Sequence, residues 1–252
     1  MLSTRVIPVL LLRNKGLVKT TRFDKSKYIG DPINAVKLFN DKEVDELVFL
    51  DIDAGKQNRK PDFDLIKNIA SECFMPLGYG GGITEYEDIA KLFAIGVEKV
   101  IINSAALQDL QLVSQASKVF GDQSIVVSVD VQKNLWGKHQ IYSHAKIKHQ
   151  RSDLIGYIQE AQNAGAGEII INAVDQDGIM QGYDLVLIQE VAAATRVPVV
   201  ACGGAGTLAD LQKAVAVGAS GVAAGSLFIY HGPHKAVLIN YPTQQQLKEL
   251  LQ

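Results

Sequence analysis

Short apolar, β-branched runs recur along the chain, separated by longer stretches with helical spacing. The runs are Arg5–Leu12, Glu46–Asp51, Met75–Gly78, Lys99–Asn103, Ser124–Asp130, Glu168–Asn172, Val197–Ala201 and Gly221–Ala224. Most are nearly continuous in apolar residues, as in Ile125-Val126-Val127 and Val197-Pro198-Val199-Val200. A strand covered on both faces needs no polar side, so the pattern predicts parallel strands buried beneath helices. The stretches between them carry helix signals. Asp31-Pro32 suits a cap and first turn, Thr84-x-x-Glu87 and Thr207-x-x-Asp210 have capping-box spacing, and Gly96, Gly165 and Gly218 supply stops.

Repeated β-α alternation over 252 residues is the size and pattern of a (β/α)8 TIM barrel, here a single domain over residues 1–252. A doubly wound open sheet is the main rival, but no G-x-G-x-x-G follows the first run. The second half also repeats the first. Gly80-Gly81-Gly82 returns as Gly203-Gly204-Ala205, Asn103-Ser104 as Gly225-Ser226, and Leu11 corresponds to Asp130. Two fused (βα)4 halves, a two-fold half-barrel repeat, are therefore expected. Val131–Arg151 is too long for an ordinary βα loop, and Asn134–Lys138 within it reads as a hairpin turn on the active-site rim.

Composition narrows the function. Hydrophobic residues make up 47% of the chain, enough for a substantial core. Lys plus Arg number 25 against 27 Asp plus Glu, so there is no basic excess to track nucleic acid. The longest apolar runs are strand-sized, well short of the roughly 20 residues that span a bilayer, and Met1–Arg5 precedes no signal-like stretch. No membrane association and a cytoplasmic location are expected. Cys73 and Cys202 have no metal-ligand spacing around them, so buried reduced thiols are expected, with no metal and no cofactor.

Barrel enzymes place their chemistry where strands end, and there this chain offers Asp51, Asp53, Asp130, Asp175 and Asp177. A carboxylate at the end of an apolar strand is suited to proton transfer, though any one of these could instead cap or cross-link a loop. Asp130 stands out because it follows the unbroken run Ser124–Val129. Gly203-Gly204 and Gly225-Ser226 follow the last two strands, the usual phosphate position in such barrels. By the half-repeat, Gly81-Gly82 with Asn103-Ser104 forms a second cradle opposite the first, which suits a long ligand with phosphate at both ends.

These segments resemble a known family. Gly16-Leu17-Val18-Lys19, Asp45–Ile52, Gly80–Ile83, Ile102–Ala106, Gly165–Ile169, Asp175-Gln176-Asp177-Gly178 and Gly203–Gly206 are similar to the cyclase subunit (HisF) family of imidazole glycerol phosphate synthase, from Arg5 to about Phe228. The resemblance implies a lyase barrel that receives ammonia from a glutaminase subunit docked on the face opposite the active site. Its substrate, a phosphoribulosyl-formimino-aminoimidazole carboxamide ribonucleotide, is a bisphosphate; Asp177 and Gly178 join the expected binding residues. It also implies an ammonia gate of Arg5, Glu46, Lys99 and Glu168, and a mobile lid after strand one in which Lys19 contacts substrate.

One position departs from the family pattern. The family uses two aspartates as its acid–base pair, ending strands one and five; the second matches Asp130, but the first is Leu11. Leucine moves no proton, so cyclisation is expected to be severely impaired unless Asp51 or Asp177 takes over. The segment His231–Pro242, with Val9–Leu12 and Lys19-Thr20-Thr21, is similar to a paralogous branch linked to acetamidino sugars of O-antigen. That likeness implies a phosphorylated acceptor and a sugar amidotransferase beside the glutaminase. The alternatives are a working histidine-pathway cyclase and an inert scaffold that activates the glutaminase.

Overall fold

A computed structural model describes residues 4–143 and 153–251. Eight parallel strands close into a barrel: β1 (Arg5–Arg13), β2 (Leu47–Asp51), β3 (Leu77–Gly80), β4 (Lys99–Ile102), β5 (Ile125–Lys133), β6 (Glu168–Ala173), β7 (Val199–Cys202) and β8 (Gly221–Ala224). Arg5 registers with Gly221 and Leu11 with Leu50, so β1 joins both β8 and β2 and no open edge remains. The chain is thus a (β/α)8 TIM barrel. Its main helices are α1 (Pro32–Asn40), α2 (Phe63–Glu72), α3 (Tyr86–Ala94), α4 (Gln111–Phe120), α5 (Leu154–Asn163), α6 (Leu185–Ala194), α7 (Leu208–Ala216) and α8 (Gln244–Leu251).

The period of two along each strand divides the core in two. Ile7, Val9, Val48, Ile101, Val126, Ile170, Val200 and Ala223 point inward and fill the bore, with Leu11, Leu50 and Cys202 packed above them. The alternate residues, among them Val6, Leu10, Phe49, Tyr79, Val127 and Ile169, face outward against the helices. Both faces of each strand are buried, which is why the runs carry no polar alternation.

The half-repeat has a physical counterpart. Asp88 in α3 accepts from the backbone N–H of Glu85 at 3.2 Å, and Asp210 in α7 accepts from that of Thr207 at 2.9 Å. Short helices, Ser104–Gln108 and Ser226–Ile229, follow β4 and β8. The α3 box sits one residue later than Thr84-x-x-Glu87, because Asp88 rather than Glu87 turns back to the cap. Asp31 caps α1 as expected, accepting from Asn34 N at 2.9 Å.

Pairing in β3 and β7 starts two residues later than the apolar runs, directly after Pro76 and Pro198, which have no N–H to give a ladder. The segment after β1 is more ordered than an expected lid loop. Asn14 and Lys15 at φ 48° and 64° make a tight turn, and Gly16–Thr20 pairs antiparallel with β1 and then with Ser26–Gly30. The end of β5 forms the expected hairpin, Val131–Lys133 against His139–Ile141. It is pinned to the α6 end of the barrel by Lys133 to Asp184 at 2.6 Å, and by His139 between Asp184 and Glu190, each at 3.1 Å. The remainder of the long Val131–Arg151 segment lies outside the described residues beyond residue 143, as does the chain start at residues 1–3.

In the His231–Pro242 segment, His231 pairs with Ala236 in a small hairpin. Tyr241 then donates to the Val6 carbonyl at 2.8 Å and ties the C-terminal segment to β1. No helix among the described residues is long and apolar enough to cross a membrane.

Candidate active site

Asp130 ends the inward face of β5 and is buried. Asn103, just past β4, donates to its Oδ2 at 3.0 Å, and Asn172, in register with it on β6, donates to its Oδ1 at 3.2 Å. Burial pushes the carboxyl up from 3.8 to about 7; the two amides oppose that rise and the nearby Asp177 adds to it. A carboxyl poised near neutrality can take or give a proton at working pH.

Asn172 was not among the expected site residues. Its signal was strand register: Glu168, Ile170 and Asn172 share one face of β6, so a polar residue there had to end in the bore. Its Oδ1 is buried without a hydrogen-bond partner.

Across the mouth from β5 is the β1–β8 wall. Leu11 stands there, in register with Leu50 on β2 and packed like it on the apolar bore, so the β1 position holds an aliphatic side chain and no carboxylate. Lys19, only 6% exposed, folds back from the hairpin and donates from Nζ to the Val9 carbonyl at 2.7 Å. A Cβ on Gly225 would lie 2.0 Å from that Nζ, so the absent side chain in the β8 loop makes the amine's seat. Burial lowers the Lys19 pKa from 10.5 to about 8, opposed by Asp177 and Cys202. Asp177 accepts from the Thr20 hydroxyl at 2.9 Å; burial raises its carboxyl, while Thr20 and Lys19 pull it down. Thr20 was likewise not foreseen. Gly178, at φ +70°, lets the β6 loop pass close to Thr20, whose carbonyl a Cβ would meet at 2.1 Å.

Asp51 stands differently. Its Oδ1 caps the backbone N–H groups of Asp53 and Ala54 at 3.2 and 3.0 Å, and Arg59 bonds its Oδ2 at 2.9 Å. Those contacts hold the β2 loop and leave the carboxylate committed. Neither Asp51 nor Asp177 occupies the Leu11 position.

The glycine pairs adopt positive φ, which glycine alone takes without strain. Gly81 and Gly82 sit at φ +117° and +73°, and Gly203 and Gly204 at +88° and +115°. Added Cβ atoms at Gly81 and Gly204 would meet the Asp51 and Gly182 carbonyls at 2.4 and 2.1 Å. Ser104 and Ser226 open the two short helices beside them, on strands β4 and β8 at opposite sides of the barrel.

At the other end of the bore, the four charged residues form a closed ring. Arg5 bonds both Glu46 and Glu168, and Lys99 reaches Glu46 at 2.8 Å and Glu168 at 3.3 Å. Burial weakens the Arg5 charge, but Glu168 and Glu46 outweigh it and raise its pKa. Alternating signs compensate charges that would be costly to bury singly. Among the described residues no group of three or more His, Cys, Asp or Glu could hold a metal ion. Cys73 and Cys202 are free and partly exposed rather than fully buried, and burial lifts the Cys202 thiol to about 12.

The family model for histidine biosynthesis proteins matches residues 5–235. The chain belongs to this family. Across 98% of its length it is 49% identical to a provisionally named imidazole glycerol phosphate synthase subunit hisF2 of Pseudomonas aeruginosa, covering 99% of that protein. A provisionally named HisF subunit of Leptospira interrogans is 44% identical, with 99% of each chain covered. The imidazole glycerol phosphate synthase subunit HisF of Exiguobacterium sibiricum is 36% identical, over 98% of this chain and 97% of that one. The HisF likeness thus spans barrel, ring and mouth together.

Proposed function

We propose that this chain is the barrel subunit of a glutamine-dependent amidotransferase system. A glutaminase docks at the end that carries Arg5, Glu46, Lys99 and Glu168; ammonia passes through the bore and meets a phosphorylated acceptor beside Asp130. The observation that carries this reading is the charged ring set beneath an apolar bore that opens on Asp130. Neutral ammonia is compatible with Ile7, Val48, Ile101, Val126 and Ile170, whereas ammonium would be poorly solvated there. Gly81-Gly82 with Asn103-Ser104, and Gly203-Gly204 with Gly225-Ser226, hold the acceptor's phosphates at the two sides of the mouth. Asp130 accepts the proton shed by attacking ammonia.

The acceptor belongs to acetamidino-sugar formation for a surface polysaccharide, with a sugar amidotransferase as a further partner. What supports this is the Leu11 wall, unsuited to a cyclisation that uses two aspartates, and the distinct His231–Pro242 hairpin. The names of the relatives favour a second reading, a cyclase that makes imidazole glycerol phosphate. Mixing the protein with a HisH-type glutaminase subunit should give a complex on a sizing column and faster glutamine hydrolysis; neither effect appearing overturns the proposal. Restoration of growth to a histidine auxotroph at the rate given by an aspartate-bearing subunit would favour the cyclase.

A further inference from the structure

The loops after β6, β7 and β8 frame a cavity of about 440 Å3, within the roughly 300 to 1,000 Å3 usual for small-ligand pockets. Gly206, two residues past Gly204, and Leu227, the residue after Ser226, line it. The cavity therefore continues from the cradle of Gly203-Gly204 and Gly225-Ser226. Its loops are clamped together. Gly182 N donates to the Gly204 carbonyl at 2.9 Å, and a Cβ on Gly206 would meet the Met180 carbonyl at 2.2 Å. The third wall is the hairpin after β8, fixed at its base where Leu238 N and Asn240 N donate to the Ile229 and Phe228 carbonyls, each at 2.9 Å. Two lining residues hold left-handed backbones that glycine would take freely, Met180 at φ 63° and Lys235 at φ 49°. Keeping side chains on such backbones costs strain, which points to a use for both.

The lining offers the Tyr230 ring, the Met180 and Leu227 side chains, the Gln181 carboxamide and the Lys235 ammonium, with no carboxylate among the described lining residues. Lys27 of the first hairpin brings a second ammonium to 6.0 Å from the Tyr230 ring centroid. A nucleobase is apolar on its faces and polar at its edge, so an aromatic ring stacks on it and a carboxamide bonds its edge. The phosphates it carries suit lysines and glycine N–H groups. A phosphorylated sugar without a base would leave Met180, Leu227 and the ring with no apolar partner. We propose that this cavity binds the nucleoside end of a nucleoside diphosphate, with the base on Tyr230 and the diphosphate between Lys235 and the Gly203-Gly204 cradle. This rests on the reading that a phosphorylated acceptor occupies the mouth, and it makes that acceptor nucleotide-linked. A bisphosphate with one phosphate at each end would stop at the cradle and leave the cavity empty.

The test is titration calorimetry of the intact chain alone, with UDP, ADP, pyrophosphate and glucose 1-phosphate as separate titrants. At least one of UDP and ADP should bind about tenfold or more tighter than pyrophosphate and than glucose 1-phosphate. Tyr230→Ala should weaken that nucleotide by about tenfold or more and leave pyrophosphate within about threefold. Lys235→Glu should weaken nucleotide and pyrophosphate together, with a deficit that shrinks as salt is raised. Thermal unfolding of each variant separates lost folding from lost binding. Lys235 is exposed, so Lys235→Glu serves if Tyr230→Ala fails to fold. Neither nucleotide binding more tightly than about 1 mM, pyrophosphate or glucose 1-phosphate matching the nucleotide, or wild-type nucleotide affinity in a folded variant overturns the proposal. No glutaminase or ammonia enters the titration, so its failure is distinct from failure to form the glutaminase complex.

Discussion

Replacing Asp130 by Asn should remove activity and at the same time stabilise the fold, in a pH-dependent manner. The carboxyl is raised from 3.8 to about 7, first by burial. A group whose folded pKa exceeds its unfolded one contributes fully below the unfolded value and loses that contribution as pH rises through the folded one. At about 1.4 kcal/mol per pKa unit, the ionised carboxylate costs about 4 kcal/mol above about pH 8. Asparagine never ionises, but it can accept from only one of Asn103 and Asn172 without a rearranged amide, a loss of about 1 kcal/mol. The net gain is about 2 to 3 kcal/mol at about pH 8.5 and near zero at about pH 4. For a chain of this length that raises Tm by about 5 to 10 °C at the alkaline pH. Thermal unfolding of both proteins by circular dichroism, at the two pH values, measures it. An Asp130→Asn protein equally destabilised at both would refute the reasoning, since the carboxylate would then be solvated or paired.

The other expectations concern the ring, the docking face and the Lys19 seat. Lys99→Leu leaves Glu46 and Glu168 with only Arg5 between them, so denaturant unfolding should show a loss of about 3 to 5 kcal/mol; a neutral result would mean that the ring is solvated. Phe74 is 86% exposed on the loop entering β3, at the ring end of the barrel, with its N–H held by Asn40 Oδ1 at 3.1 Å. Phe74→Asp should weaken the glutaminase complex by about tenfold or more without moving Tm, read by titration calorimetry. Gly225 has an ordinary φ of −107°, so Gly225→Ala should add no backbone strain and act by evicting the Lys19 amine. The 15Nζ titration of Lys19 should then move from about 8 towards its ordinary 10.5; an unmoved titration would contradict the seat.

The barrel was legible in the sequence because the strands are buried on both faces, which leaves apolar runs such as Ile169-Ile170-Ile171. Asp130, Asn103 and the glycine pairs were legible for a related reason: a polar residue or a glycine directly after such a run has to lie at the mouth. Other features depend on contacts between distant segments. Asn172 became a partner of Asp130 only through β5–β6 register, and Thr20 met Asp177 only when the first hairpin closed over the β6 loop. The hairpin itself was hidden because Asn14-Lys15 is not a usual glycine turn, yet both residues adopt positive φ. Asp51 looked like Asp130 in sequence, and only the fold shows Arg59 bridging both its oxygens while turn N–H groups take up Oδ1.

The passage of ammonia from a docked glutaminase to the mouth is tested most directly by isotope competition. Glutamine labelled with 15N in its amide is supplied to the complex with excess unlabelled ammonium, and the bisphosphate precursor and amidation-ready sugar nucleotides are offered as acceptors side by side. Nitrogen drawn through the bore should reach the product labelled and undiluted, and Lys99→Leu should open the route to the unlabelled pool. A product whose nitrogen matches the free ammonium in the intact complex would contradict the central claim.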